Sequence, residues 1–371
     1  MGRQGYIAVT VTVLLIAVLI GASAIRGSLE VRSAGSRIDG TLPGGPVEGS
    51  VFLLVEEGDT HYLAALDARD AAFRGTIPLP TRPSAVVPTP GGVSVFVAYP
   101  DRSDIDVFDT ITLEQQERLS PEVGAVEALS FAPDGSRLYV VTDGGRGLHT
   151  FAHQRLSLEP VREDFFEESA PGGDAPQEDA SREGARVRST ARDDAPPVLA
   201  NRRATHIYRP DRAGLTVLFA ASGDPIDRID VDARHWRFDA DRTALWGVHR
   251  EGYPVRVTER AGEVTEFSDV DIEPHPPAVV NGSAWYLGAG GDHLIRPDGA
   301  TIPLPHRAVL LVETGDRRLW AIDAAGMVVI VPVDISNERE RLESLPPVDG
   351  TQRVLHAVAA IVQQEGNFAC F

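Results

Sequence analysis

The stretch that decides the fold is Ala128–Thr142, which reads ALSFAPDGSRLYVVT. An apolar run at its start leads into the turn residues Pro133–Gly135, and a second apolar run follows at 138–141. Proline, aspartate and glycine supply the backbone angles of a tight turn, and β-branched and aromatic residues favour strands. The stretch therefore predicts a β-hairpin.

Similar hairpins recur at an even spacing. Aromatic residues in the equivalent second run fall at Phe52, Phe96 and Tyr139, at intervals of 44 and 43 residues. A period of about 40–45 residues with four short strands per unit is typical of a β-propeller blade, although a two-sheet sandwich is the structural alternative. The last apolar run, 354–364, has no blade after it, whereas the first blade starts at its second strand. We therefore expect the chain ends to pair, which predicts an all-β, seven-bladed β-propeller, with six or eight blades as alternatives.

The second half of the chain repeats the pattern less regularly. Phe219 and Trp246 are 27 residues apart, which is too few for a whole blade, so this repeat has either lost a strand or been assigned wrongly. Before it, the segment 164–199 holds many acidic residues and few apolar ones, which is typical of a disordered insertion. Two roles stay open for this insertion, a solvated loop and a segment that docks a partner.

The N-terminal region predicts a membrane or export signal. Ile7–Ile25 is an uncharged apolar run of 19 residues, and a helix of that length spans about 28 Å, close to the hydrocarbon core of a bilayer. Ala22–Ala24 also fits a signal-peptidase site. We predict a signal anchor or signal peptide at 1–26, a linker at 27–50 and the propeller at 51–371. The protein is then single-pass in the cell membrane with its propeller outside the cytoplasm, or secreted if cleaved after Ala24.

Composition excludes several classes of function. The formal net charge is −19, with 54 acidic and 35 basic residues, so nucleic acid is not an expected partner. The single cysteine, Cys370, excludes an intramolecular disulfide and a cysteine-based zinc cluster. The sequence contains no HExxH, no GxSxG and no glycine-rich phosphate loop, and no acid–base pair can be placed. Enzymatic activity is therefore not favoured.

Histidine and arginine residues stand at or near the start of the predicted inner strands. They are His206, His235, His275, His306 and His356, with Arg82, Arg203 and Arg234 in similar positions. Inner strands line the axial channel of a propeller and start at one mouth, so we expect a polar ring there. His275, His306 and His356 are the best candidates for a transition-metal site such as zinc, since they come from consecutive blades. The remaining five suit a small anion, and the alternative is that all eight cap strands and meet channel water. No cofactor is certain.

The quoted hairpin also carries a family resemblance. FAPDGSRLYVVT, with the DIDVFDT run at 104–110 of the neighbouring copy, resembles the YVTN-type propeller repeats of bacterial extracytoplasmic proteins. The resemblance covers mainly 51–163 and implies a fold and a location rather than a chemistry. We expect a membrane-tethered binding module for another envelope protein. The alternatives are a carrier of a metal or small anion at the channel mouth, and a lactonase-like propeller hydrolase.

Overall fold

Twenty-eight short β-strands make up the described part of the chain. The structure, a computed structural model, describes residues 48–143, 147–154, 157–162, 198–211, 214–239, 242–259, 261–280, 282–314, 318–333, 343–344 and 353–362. No helix within these ranges is long and apolar enough to cross a membrane. The apolar run 7–25, which carries the prediction of an anchor or signal peptide, lies outside them.

The strands, in chain order, are β1 (Glu48–Glu57), β2 (Thr60–Asp67), β3 (Phe73–Leu79), β4 (Ala85–Pro88), β5 (Ser94–Ala98), β6 (Ile105–Asp109), β7 (Gln115–Leu119), β8 (Ala128–Phe131), β9 (Arg137–Thr142), β10 (Gly147–Gln154), β11 (Ser157–Arg162), β12 (Leu199–Ala200), β13 (His206–Asp211), β14 (Gly214–Phe219), β15 (Pro225–Asp230), β16 (Ala233–Phe238), β17 (Ala244–His249), β18 (Pro254–Thr258), β19 (Val264–Glu266), β20 (Ala278–Val280), β21 (Ser283–Leu287), β22 (His293–Ile295), β23 (Thr301–Pro303), β24 (Leu310–Glu313), β25 (Arg318–Ile322), β26 (Val328–Pro332), β27 (Glu343–Ser344) and β28 (Arg353–Val362).

These strands form seven four-stranded antiparallel sheets, which are the blades of a β-propeller. Blade 1 has the order β28-β1-β2-β3, and blades 2 to 7 are β4–β7, β8–β11, β12–β15, β16–β19, β20–β23 and β24–β27. The first strands of neighbouring blades contact one another: β28 with β4, β4 with β8, β16 with β20, β20 with β24 and β24 with β28. These first strands are the inner strands, and they surround the axial channel. The predicted seven-bladed propeller is confirmed.

The ring is closed by the two ends of the described chain. β28 pairs antiparallel with β1, in a register that runs from Glu48↔Val362 to Glu56↔Arg353. The inner strand of blade 1 therefore comes from the end of the chain, as the sequence predicts. This pairing covers the edges that an open ring would expose between its first and last blades. β1 begins at Glu48, so the last three residues of the predicted linker belong to a strand.

Seven clusters of apolar side chains, one between each pair of neighbouring blades, hold the ring together. Side chains alternate across a strand, so each second strand serves two interfaces. In β1, for example, Phe52 belongs to the cluster between blades 1 and 2, whereas Leu53 belongs to the one between blades 7 and 1. Trp236 fills the interface of blades 4 and 5, and Trp320 fills that of blades 7 and 1. Packing between blades is therefore the main source of stability.

The strand order of blade 4 shows that Phe219 was assigned to the wrong strand. Phe219 ends β14, which is the third strand of this blade, whereas the second strand is β13 and carries Tyr208. The interval from Tyr208 to Trp246 is 38 residues, so the blade has lost no strand. Its inner strand, β12, has only two residues and follows the acidic segment directly, which is why the pattern did not reveal it. Residues 164–197 of that segment lie outside the described residues.

The strand directions define two faces of the propeller ring. Consecutive strands within a blade are antiparallel, so all seven inner strands begin at one face and end at the other. We call these the front face and the back face. Loops between second and third strands, and those between blades, lie at the front. Loops between first and second strands, and between third and fourth strands, lie at the back.

Candidate functional site

Four of the eight candidate residues from the sequence lie at the front end of inner strands, as expected. Arg82, His275 and His306 precede β4, β20 and β24, and Arg234 is the second residue of β16. Burial lowers the pKa of the His275 imidazole, the Glu273 carboxylate raises it, and the Arg234 guanidinium lowers it further. The structure thus brings Arg234 and His275 close enough to interact electrostatically.

Arg203 and His206 lie on the other face. His206 is the first residue of β13, a second strand, and Arg203 is in the loop between β12 and β13. Both are therefore at the back, and their expected place at the start of an inner strand is wrong. The ring nitrogen Nδ1 of His206 lies 3.2 Å from the amide nitrogen of Asn201 and 3.9 Å from Oε1 of Glu259. The error follows from the two-residue β12, because missing one strand reverses the direction of the next.

His235 and His356 also lie in inner strands, within the first four residues of β16 and β28. His235 has a φ of 57° and belongs to a bulge in which His235 and Trp236 oppose the single residue Gly247. His356 is the fourth residue of β28 and pairs with Leu54. Within the described ranges, no three His, Cys, Asp or Glu side chains are grouped so that they could hold a metal ion. The structure therefore does not assemble His275, His306 and His356 into a metal site.

Two charged residues of the channel were missed by the sequence analysis. Arg237 is the fifth residue of β16 and Glu313 the last of β24, so both lie toward the back end of inner strands. Cross-strand partners share a face of the sheet. Arg237 pairs with Trp246, of the cluster between blades 5 and 6, and Glu313 pairs with Leu319, of the cluster between blades 6 and 7. Both side chains thus point toward blade 6, from opposite sides.

Between them runs β20, the inner strand of blade 6, with only three residues, Ala278, Val279 and Val280. These side chains are buried and apolar, and they offer no hydrogen bond to either charge. Among the described residues, no hydrogen bond and no ion pair within 4 Å is formed by Arg237 or Glu313. Both side chains are nevertheless open to channel water. The sequence signal differs between the two residues. Glu313 ends the otherwise apolar strand LLVE, whereas Arg237 lies in the strand ARHWRF, which also carries Arg234 and His235.

The surroundings of the pair disfavour charge. Burial raises the pKa of the Glu313 carboxyl to about 7, and the Arg237 guanidinium partly opposes this shift. Burial likewise lowers the pKa of Arg237, and the Glu313 carboxylate opposes that change. Strongly perturbed carboxyl groups in clefts are frequent at functional sites. The channel beside blade 6 is therefore a candidate site in its own right.

The raised pKa of Glu313 predicts a pH-dependent stability. Between its ordinary pKa and about 7, the folded protein holds a proton that the unfolded chain has lost, so stability falls as the pH rises through this range. We expect Glu313→Gln to remove this loss and to raise Tm at about pH 8.5 by about 2–4 °C, a modest shift because channel water screens the charge. At about pH 4, below the ordinary carboxyl pKa, the variant and the wild type melt together, because the Glu313 side chain is mostly protonated in the folded and in the unfolded chain.

Thermal unfolding followed by circular dichroism at both pH values measures this effect. Glu114→Gln is the matched control, because Glu114 is exposed on a loop at the back face, and we expect it to leave Tm unchanged. An equal change of Tm with pH in Glu313→Gln and in the wild type would contradict the assignment.

The back face carries the exposed apolar side chains. In the described part of the chain, the large hydrophobic residues with high exposure are Phe73, Val93, Ile111, Phe219 and Ile226. Phe73 and Ile226 lie at the start of fourth strands, Phe219 at the end of a third strand, Val93 just before a second strand and Ile111 in a loop between third and fourth strands. All five positions are at the back. Their residue types give no sign of exposure in the sequence, because only the strand order places them on one face.

Two clefts open on the same face. The larger, of about 390 Å³, lies between blades 2 and 3 and is lined by residues that include Val93, Asp134 and His153. The smaller, of about 210 Å³, lies between blades 4 and 5 and is lined by residues that include His206 and Ile226. Exposed apolar residues thus lie in the walls of both clefts.

Comparison with known proteins shows the fold and nothing finer. No family model and no curated protein sequence matches the chain, so the resemblance to YVTN-type repeats stays a prediction. Among solved structures, hydrazine synthase of Kuenenia stuttgartiensis is similar with a TM-score of 0.51 and 14% identity, over 81% of this chain and 100% of that one. The β-propeller domain of Myceliophteria thermophila Cps50 (Swd1) has a TM-score of 0.51 and 9% identity, over 78% and 99%. The chain has a β-propeller fold.

Proposed function

We propose that the chain is a protein-interaction module that binds a partner protein through the back face of its propeller. The observation that supports this is the placement of Phe73, Val93, Ile111, Phe219 and Ile226 on one face. Single exposed apolar residues are ordinary, whereas their restriction to one face with two clefts is typical of an interaction surface. Propellers host many functions, so the proposal depends on these residues and not on the fold.

Acidic residues next to the apolar ones indicate the chemistry of the partner. Asp109 accepts a hydrogen bond of 2.7 Å from the backbone N–H of Ile111, and Asp224 and Asp227 flank Ile226 in the sequence. Asp134 shares a cleft with Val93. A partner surface with apolar side chains bordered by lysine or arginine complements these carboxylates. Arg74, whose guanidinium donates to the carbonyl of Ile111 at 3.5 Å, is the basic exception and faces an acidic or neutral group of the partner. An anionic lipid surface does not, because the chain carries a net charge of −19.

The proposed location is outside the cytoplasm, with the propeller tethered by the apolar run 7–25 or released by cleavage after Ala24. Support for it comes from the length of that run and from the resemblance to extracytoplasmic repeats. The partner is then an envelope protein. A metal carrier is less well supported, since no three His, Cys, Asp or Glu side chains of the described residues are grouped to hold a metal ion. A hydrolase is less well supported, since the sequence contains neither HExxH nor GxSxG.

Site-specific photo-crosslinking in cells that express the protein tests the proposal. We expect a crosslinker at Ile111 or Ile226 to give one discrete adduct with a single protein. The control position is Ala289, which is exposed in a front-face loop of blade 6. We expect no adduct with that protein from Ala289.

The identified partner, once purified, allows an affinity measurement. We expect the double variant Ile111→Asp and Ile226→Asp to raise Kd at least about tenfold, because it places charges where apolar contacts form. Ala289→Asp should leave Kd unchanged, and both variants should keep the wild-type Tm because the replaced side chains are exposed. An adduct from Ala289 alone, or equal affinities for both variants, would overturn the proposal.

A further inference from the structure

The axial channel holds a second candidate site, which is separate from the interaction surface on the back face. Arg237 and Glu313 point toward blade 6 from its two neighbours, and the short β20 between them supplies only apolar side chains. β20 pairs with β21 on one side and has no strand on the other, so backbone N–H and C=O groups of its inner edge face the channel. The gap between the two charges is therefore bordered by polar groups that lack protein partners within the described residues.

From this geometry we propose that Arg237 and Glu313 bind a small oxyanion in the channel beside blade 6. The planar guanidinium of Arg237 offers several N–H donors to carboxylate, sulfate or phosphate oxygens. Glu313, when protonated, donates its O–H to the same anion. An oxyanion that enters from the channel reaches both side chains, since both are open to channel water, and it supplies the hydrogen-bond partner that neither has among the described residues.

The role of Glu313 makes binding depend on pH. Above its raised pKa the carboxylate repels the anion and competes for Arg237, so we expect affinity to fall as the pH rises through about 7. Other titratable or charged side chains on described strands packed against β24 are Tyr286, Arg318, Arg353 and His356. Tyr286 lies in the cluster between blades 5 and 6, and Arg318 donates to the carbonyl of Arg69 in blade 1. Arg237 is the charged group that shifts the pKa of Glu313.

Calorimetric titration of the full chain with sodium sulfate and with sodium acetate, in buffers free of other oxyanions, tests the site. Both anions stay ionised between about pH 5.5 and 8.5, so a change in affinity reports on the protein. We expect binding at least about tenfold tighter at the lower pH. Arg237→Gln should weaken binding at least about tenfold at the lower pH, and Arg237→Lys should weaken it less. Glu313→Gln should make affinity independent of pH.

Arg118→Gln is the matched control, because Arg118 is an exposed arginine on β7, the outer strand of blade 2, away from the channel. We expect it to change affinity less than about twofold. Titration near pH 7 in buffers of different ionisation enthalpy adds a second measurement. The wild type should take up part of a proton on binding sulfate, and Glu313→Gln should take up none.

Three outcomes would overturn the channel site. They are the absence of saturable binding in the wild type at the lower pH, an equal loss of affinity in Arg118→Gln and Arg237→Gln, and a persistent pH dependence in Glu313→Gln. Melting curves of all variants check that they are folded. Ile111→Asp with Ile226→Asp should leave sulfate binding unchanged, so failure at the back face and failure in the channel are distinguishable.

Discussion

We expect Ala360→Asp to open the propeller ring and to lower the free energy of unfolding by about 3–5 kcal/mol, the effect of leaving a buried charge without a partner. Ala360 is fully buried in the cluster between blades 1 and 2, although it comes from the last described strand of the chain. It pairs with Ser50 in the β28–β1 ladder that closes the ring. A carboxylate at this position must lose its water or pull β28 away from β1. Domains are commonly stable by only about 5–15 kcal/mol, so the loss is a large part of the total.

Denaturant unfolding and thermal melts followed by circular dichroism measure this loss. Arg353→Asp is the control, because it introduces the same side chain on the same strand at an exposed position. We expect the control to change stability by less than about 1 kcal/mol. If both variants unfold at the same denaturant concentration as the wild type, β28 does not close the ring.

Ring closure could be predicted from sequence because it depends on a count of strands. In the sequence pattern, the first blade starts at its second strand, and the apolar run 354–364 has no blade after it. Pairing this run with the first blade supplies the missing inner strand and gives the run a partner. The hairpin at Ala128–Phe131 and Arg137–Thr142 was also predictable, since its turn residues and apolar runs are local signals. These features need no knowledge of which face of the wheel a residue occupies.

Predicting the candidate site requires knowing on which face of the propeller each residue lies, and for two of the eight candidate residues the predicted face is wrong. Successive strands run in opposite directions, so an error of one strand moves the residues assigned in that blade to the opposite face. β12 has two residues and was missed, and Arg203 and His206 were therefore placed at the front instead of the back. Arg237 and Glu313 were overlooked for another reason. Arg237 lies in blade 5 and Glu313 in blade 7, and both face blade 6. The two residues are far apart in the sequence, so no local pattern shows that they are neighbours in the channel.

The position of Arg237 depends on a single glycine. Gly247 is the one residue opposite the bulge of His235 and Trp236, and a Cβ atom built there would lie 2.7 Å from Cε3 of the Trp236 ring. Trp236 is buried between blades 4 and 5, and its indole nitrogen donates to the carbonyl of Ala233 at 3.3 Å. The ring therefore cannot move without disturbing β16, the strand that carries Arg237.

We expect Gly247→Ala to destabilise the protein by about 1–3 kcal/mol, as overpacking of a core does. We also expect it to weaken sulfate binding, because a shift of Trp236 changes the register that directs Arg237 toward blade 6. Gly91→Ala is the matched control, since a Cβ atom there meets no atom within 4 Å. The control should be neutral or slightly stabilising, as replacing glycine by alanine restricts the unfolded chain. Equal stability and equal sulfate affinity in the two variants would show that the bulge does not hold Arg237 in place.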